Sequence, residues 1–355
     1  LISRKGKTQV IAGYPWLGRC ARDTAIALPG LTLYADNGAK IFSRAIETLV
    51  KEEDRLYETA DAPLWLFWTL QHYLDQTGDK EALWKDYGNM IKSVIKRYRE
   101  GTDKVKMHPN GLIWTDEMNT PLTWMDSVVD NRSVVLRSGY IVEVCALWYN
   151  AVCFALDLAK EMADHDFVNE FEEIPTLIRE NFLPTFWCES RTHLADFVNR
   201  QGQNIFTRPN QLLACSLPYT PLHDEVINNV LRACSCELLT PKGLRTLSPK
   251  NPLFESHSEG DPAKRQRAAH QGSVWPWLLG PYIDAQFRLF GKNFVNCARD
   301  IIRVFEEDMT EHGIGSIAQL YDGNPPHRPH GCTSSARNIA EILRVMNLIE
   351  KFDRL

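Results

Sequence analysis

The chain has 355 residues, 44% of them hydrophobic and 24% charged, which excludes extended disorder and fibrous repeats. Forty Lys and Arg against 45 Asp and Glu leave a formal net charge of −5, so no broad basic face is expected for nucleic acid or an anionic membrane. Nine cysteines without a Cys-x-x-Cys pair read as free thiols of a reducing compartment, the cytoplasm, rather than as a disulfide framework or a zinc site.

In chain order, the helical period dominates. Phe42, Ala45, Ile46 and Leu49 fall at i, i+3, i+4 and i+7, and Leu83, Tyr87, Met90, Ile91, Val94 and Tyr98 continue the pattern. The same spacing recurs from Leu147 to Leu158, from Phe294 to Phe305 and from Ile339 to Ile349. It predicts helices over 23–34, 39–51, 63–75, 81–99, 140–162, 167–182, 209–217, 223–236, 274–290, 293–309 and 334–352. Residues 195–198 read as at most a short strand, and no sheet-based core is expected. No stretch approaches the roughly 18 apolar residues of a membrane span. The opening Leu1-Ile2-Ser3-Arg4, without an initiator Met, reads as the continuation of a longer chain.

The connections alternate between tight (35–38, 76–80, 163–166, 218–222, 291–292) and long (52–62, 100–139, 183–208, 237–273, 310–333). In successive antiparallel helix hairpins every second connection lies at the same end. The long loops should therefore share one face with the N-terminal segment, and long loops in compact domains are usually functional. A closed ring of such hairpins is an all-α (α/α)6 toroid, expected here as a single domain. Six hairpins need twelve helices and eleven are counted, so either one precedes residue 1 or two have been merged.

The long loops carry the chemistry. Trp16 lies near Arg22 and Asp23; Asp61 precedes a helix; Trp124 and Asp126 share a short segment. Asn210 and Gln211 follow an Arg-Pro, His270 and Gln271 precede Trp275 and Trp277, and Asp322 lies upstream of His330. Aromatic faces beside carboxylates, Arg, Asn and Gln suit sugar rings and hydroxyls. Two carboxylates facing across a funnel are what glycoside hydrolysis needs. Each motif also has a plain structural reading. Trp275-Pro276-Trp277 is also a helix start, Arg22–Asp23 a local ion pair, Asp61 a helix N-cap, and 325–330 a rigid surface loop. His327 and His330 lack metal-ligand spacing, so no metal is expected.

Seven segments, in order, resemble the amylo-α-1,6-glucosidase (glycogen debranching) family in its prokaryotic form: Ala12–Leu31, Leu122–Asp126, Val142–Ala151, Arg208–Leu217, Gly243–Pro249, His270–Ile283 and Tyr321–Cys332. The resemblance implies an (α/α)6 catalytic domain, ordinarily preceded by a β-rich domain. It implies inverting hydrolysis of the α-1,6-linked glucose of a branched α-glucan such as trimmed glycogen, without metal or organic cofactor. Asp126 then matches the general acid, with Trp124 and Met125 as an apolar flank that would help it hold a proton. Arg22 and Asp23 match a pair that holds hydroxyls of the terminal glucose. Asp61, Glu143, Asn210, Gln211, His270 and Gln271 match polar pocket positions, and Trp16, Trp124, Trp275 and Trp277 the aromatic walls. Glu143 is either a sugar ligand or the structural partner of Arg137. Arg137, Gln319 and His330 complete the candidate substrate-binding set.

The departure lies at the base. Where the family places a catalytic Glu before its Pro-Pro-His motif, this chain has Gln319, and an amide takes no proton from water. Three readings stay open: Asp322 serves as base through a local shift, the domain binds glucan with little or no catalysis, or Gln319 positions water for a different substrate. Cys20-Ala21 before Arg22, and residues 264–269 before His270, also depart from the pattern and leave the exact substrate open.

Overall fold

The computed structural model describes residues 1–4, 7–116 and 120–354. Its helices are α1 (Ala21–Thr32), α2 (Gly38–Val50), α3 (Glu53–Leu56), α4 (Ala62–Thr77), α5 (Lys80–Glu100), α6 (Val142–Glu161) and α7 (His165–Phe171). They continue with α8 (Ile174–Phe186), α9 (Gln211–Ser216), α10 (Asp224–Glu237), α11 (Pro262–Gln271), α12 (Leu279–Phe290), α13 (Val295–Glu311) and α14 (Ala336–Asp353). The chain is mostly helical, with small sheets inserted between the helices.

Two kinds of helix follow from the apolar pattern. α2, α5, α10 and α13 are amphipathic and bury one stripe, as Phe42, Ala45, Ile46 and Leu49 do in α2. α1, α4 and α6 are buried nearly all round. α6 is long and apolar enough to cross a membrane, contrary to the expectation from sequence, but 94% of that stretch is enclosed by protein, which makes it a core helix. The buried helices touch in succession: α1 on α4, α4 on α6, α6 on α9, α9 on α12, α12 on α14, and α14 on α1 again. The amphipathic helices lie against them, α2 on α1, α5 on α4 and α6, α10 on α9 and α12, α13 on α14. One continuous apolar cluster runs from Val10 to Ile349.

The backbones of α1 and α14 approach very closely. A Cβ on Gly30 would lie 1.8 Å from the carbonyl oxygen of Ala340, so only glycine lets these two helices meet.

Several boundaries differ from the sequence reading. The helix expected over 167–182 is two helices, with Pro175 in the first turn of α8 restarting the chain. The helix expected over 274–290 begins as a strand (Val274–Trp275) and a 3-10 turn (Pro276–Leu278) before α12. α11 lies in a stretch read as loop, and it is well signalled: Asp261 caps the Lys264 amide at 2.8 Å and Pro262 opens the first turn. No further helix follows α14 as its hairpin partner among the described residues.

The long connections are not bare loops. Val105–Met107, Ile113–Thr115, Gly139–Ile141, Phe197–Asn199 and Gly202–Asn204 form one five-stranded antiparallel sheet, in the spatial order 202–204, 197–199, 139–141, 113–115, 105–107. Leu239–Thr240, Gly243–Arg245, Val274–Trp275, Leu320–Tyr321 and Pro329–His330 form a second in chain order. Strands of two or three residues are too short for alternation to register, which is why sequence periodicity missed them.

Candidate active site

The starts of the buried helices converge. Arg22 in the first turn of α1 donates through Nε to Asp61 Oδ1, just before α4, at 3.0 Å. Arg337 in the first turn of α14 pairs with Asp23 at 3.2 Å. The Trp277 amide, ahead of α12, donates to Asn338 Oδ1 at 3.0 Å. Backbone bonds tie the long connections together over this end, among them Ala60 to Leu122, Ser248 to Thr207 and Ala336 to Ala12.

A cavity of about 500 Å³ opens here. Of the residues singled out from sequence, Asp23, Asp126, His270, Trp275, Gln319 and His330 line it. The second sheet builds one wall, because the pairing of 320–321 with 329–330 sets Gln319, Leu320 and His330 beside Trp275. The loop before α6 brings Asp126, and the end of α11 brings His270.

Asp126 is 51% exposed in its side chain and is anchored by Arg22 Nη1 at 3.0 Å. The apolar flank expected around it is absent, since Trp124 and Met125 turn into the core instead. Trp124 donates its indole N–H to Asn210 Oδ1 at 2.7 Å and meets His270, Trp275 and Trp277 edge-on. Arg22 is fully enclosed, and the carboxylates of Asp61 and Asp126 hold its guanidinium well above its ordinary value against the burial that opposes charge. Asp23 is raised above the usual carboxylate range by burial, opposed by Arg337 and Arg22. Burial drives His270 down to about 4, so the ring is neutral at pH 7. Its Nδ1 faces the Ser127 amide at 3.3 Å, and its Nε2 has no protein partner.

Other candidates support the site without lining it. Asp61 holds the N-cap position of α4 but does not cap; its carboxylate binds Arg22 and the Thr59 hydroxyl. Glu143 is the partner of Arg137, which grips both Glu143 and Asp196, so the structural alternative holds and both are closed to a sugar. Asn210 donates to Asp196 at 2.7 Å; Gln211 is bonded to Leu194 and Arg208; Gln271 accepts from Arg208 at 2.7 Å. Trp277 is fully buried against Trp65 and Trp124. Trp16 stands at the rim, 69% exposed, next to Leu17 and Gly18 of the cavity wall.

Asp322, the carboxylate offered as a base, is fully enclosed and outside the cavity lining. Its Oδ1 accepts the Ser258 amide at 2.9 Å and lies 2.8 Å from His330 Nε2, and its Oδ2 lies 3.3 Å from His257 Nδ1, neither ring nitrogen being aligned for a hydrogen bond. That enclosure denies it direct contact with water in the cavity. Gln319 does line the cavity, with Oε1 accepting the Cys332 amide at 3.0 Å. Gly331 has φ of +73°, and a Cβ there would lie 2.4 Å from that same oxygen, so a glycine seats the amide.

Sequence reading missed Arg337. It pairs with Asp23 and lies over the rings of Trp275 and Trp277 at 5.2 and 5.3 Å. An Arg-Asn pair in the first turn of the last helix, directly after the long connection 310–333, was the available signal. Asp196 was missed too; a lone carboxylate in the apolar run 195–198 was its mark.

Known proteins share this frame. The family described as amylo-alpha-1,6-glucosidase matches residues 2–344. The GH63 mannosylglycerate hydrolase of Thermus thermophilus, solved in complex with glucose, is 12% identical with a TM-score of 0.68, covering 97% of this chain and 96% of that one. The same enzyme in complex with Tris gives 13%, 0.67, 98% and 97%. A GH78 rhamnosidase of Bacillus sp. GL1 is 13% identical with a TM-score of 0.52 over 82% of this chain; the chain spans only 26% of that larger protein. No curated protein matches the chain.

Proposed function

The chain belongs to the amylo-alpha-1,6-glucosidase family of glycoside hydrolases, and we propose that it removes single α-1,6-linked glucose units from branched α-glucan with inversion, Asp126 acting as general acid. The observation that carries this is the half-exposed Asp126 carboxylate, anchored by Arg22 at 3.0 Å inside a cavity walled by Trp275 and His270. A proton delivered from Asp126 to the glycosidic oxygen lets the C–O bond break, while water attacks the anomeric carbon from the opposite side. Asp23, held by Arg337, and the free Nε2 of neutral His270 are suited to sugar hydroxyls. The exposed ring of Trp16 at the rim offers a stacking face for the rest of the glucan.

The succession of helix contacts that returns from α14 to α1 supports an (α/α)6 toroid forming one domain, whose inner helices aim their N-termini at the cavity. The nine unpaired cysteines support a reducing compartment such as the cytoplasm. Neither a cofactor nor a macromolecular partner enters the chemistry proposed.

A second reading has its own support. Gln319 stands in the wall where a base is needed, and it favours a glucan-binding relative with little turnover. The test is glucose release from phosphorylase limit dextrin, compared with linear and other α-linked glucosides. The proposal expects free glucose from the branched substrate, lost in Asp126→Asn. Saturable binding without release, unchanged by that substitution, would support the second reading; release from another linkage alone would move the substrate.

A further inference from the structure

Inverting hydrolysis requires a proton acceptor for the attacking water. The carboxylates lining the cavity among the described residues are Asp126, assigned as the acid, and Asp23, committed to Arg337. Gln319 accepts no proton, and Asp322 is sealed off. The imidazoles are the remaining groups able to do so. His270 is enclosed, its Nδ1 turned to a backbone amide.

His330 is differently placed. Its side chain is 21% exposed and lines the cavity beside Gln319. Nε2 stands 2.8 Å from Asp322 Oδ1, close but not aligned for a hydrogen bond, and Nδ1 has no protein partner among the described residues. The hairpin pairing of Leu320 with His330 holds this wall together. A small turn of the ring would bring Nε2 into line with the buried carboxylate, which would keep the proton on that side and leave the other nitrogen as an acceptor. This is the division of labour of a carboxylate–imidazole pair in nucleophile activation.

Resting on the hydrolase reading, we propose that His330 is the catalytic base, oriented by Asp322 as a positioning residue, in place of the carboxylate that Gln319 replaces. The water oxygen bonds to the anomeric carbon as one of its protons passes to His330 Nδ1. The glycosidic C–O bond breaks with its electron pair on the leaving oxygen, which takes the proton of Asp126. The imidazolium formed is balanced by the Asp322 carboxylate. It then gives its proton to solvent, from which Asp126 is reprotonated.

The test uses the whole chain and the glucoside series, with folding followed by circular dichroism. His330→Asn should lower kcat about 10²–10³-fold with KM within about threefold. Asp322→Asn should lower kcat less, and the double variant should be no worse than His330→Asn alone, since the two act as one unit. Added imidazole should restore part of the rate to His330→Gly, which a structural role would not allow. Gln319→Glu should restore at least about tenfold to His330→Asn by returning a carboxylate base to the wall. If wild type releases sugar and His330→Asn keeps its kcat within about threefold, or only KM moves, the inference falls and the hydrolase stands. Release by Gln319→Glu with none by wild type also overturns it alone. Release by neither overturns the functional reading, and the base assignment with it.

Discussion

The Asp126 carboxylate is poised by one contact and otherwise open. Asp126→Asn should therefore fold normally and lose about 10²–10⁴-fold in kcat, read by glucose release and a melting curve together. Arg137 is the contrasting case, because its guanidinium neutralises two buried carboxylates, Glu143 and Asp196. Arg137→Ala would strand Glu143 in the core and leave Asp196 to Asn210 and to Arg208 at 3.7 Å, and should cost about 3–5 kcal/mol, measured by urea unfolding. His270 links the site to stability through pH. Burial depresses the folded ring from 6.5 to about 4, so the unfolded chain binds the proton first as pH falls. The stability this neutral ring permits is complete above pH 6.5 and is lost between there and about 4, on the order of 3 kcal/mol. His270→Gln should flatten the fall of Tm across that window; an unchanged slope would put the acid sensitivity elsewhere.

At the scale of elements, helix starts and backbone contact define the site. Arg22, Asp61 and Arg337 all sit within a turn of a helix N-terminus, where the dipole favours the carboxylates and hydroxyls gathered around them. Their mutual distances depend on how closely α1 meets α14. Gly30→Ala would drive a methyl into the Ala340 carbonyl and should destabilise the chain by at least about 2 kcal/mol. Because Asp23 and Arg337 lie on those two helices, the same substitution should also raise KM. A variant of normal stability would mean that α14 can slide without cost.

At the scale of the molecule, Arg22, Asp61 and Trp277 belong to the buried core, and the cavity of about 500 Å³ is lined by other residues, Asp23, Asp126 and His330 among them. The proposed reaction takes one glucose unit at a time from the end of a branch. The product should be single sugars from the first time point, seen by chromatography, and shorter oligosaccharides appearing early would contradict the proposed reaction. The nine cysteines are all unpaired, five of them buried. Reductant should leave Tm unchanged and nine thiols should titrate in denaturant.

The sequence by itself determined most helices, the tight-and-long alternation of their connections, and the segments that meet in the cavity. Those follow from local periodicity and from residue chemistry that needs no partner to be recognised, as at Phe42–Leu49 or Trp124–Asp126. Tertiary structure alone decided which polar residues face the cavity. Glu143, Asn210 and Gln211 look like sugar ligands in sequence, yet Arg137, Asp196 and Arg208 consume them inside the protein. The small sheets were likewise invisible, being two or three residues long and held by partners far away along the chain. Asp322 shows the physical reason most directly. Nothing local distinguishes a carboxylate that reaches water from one that steadies a histidine; that difference is made by Ser258, His257 and His330, which only the folded chain brings within 3.3 Å of it.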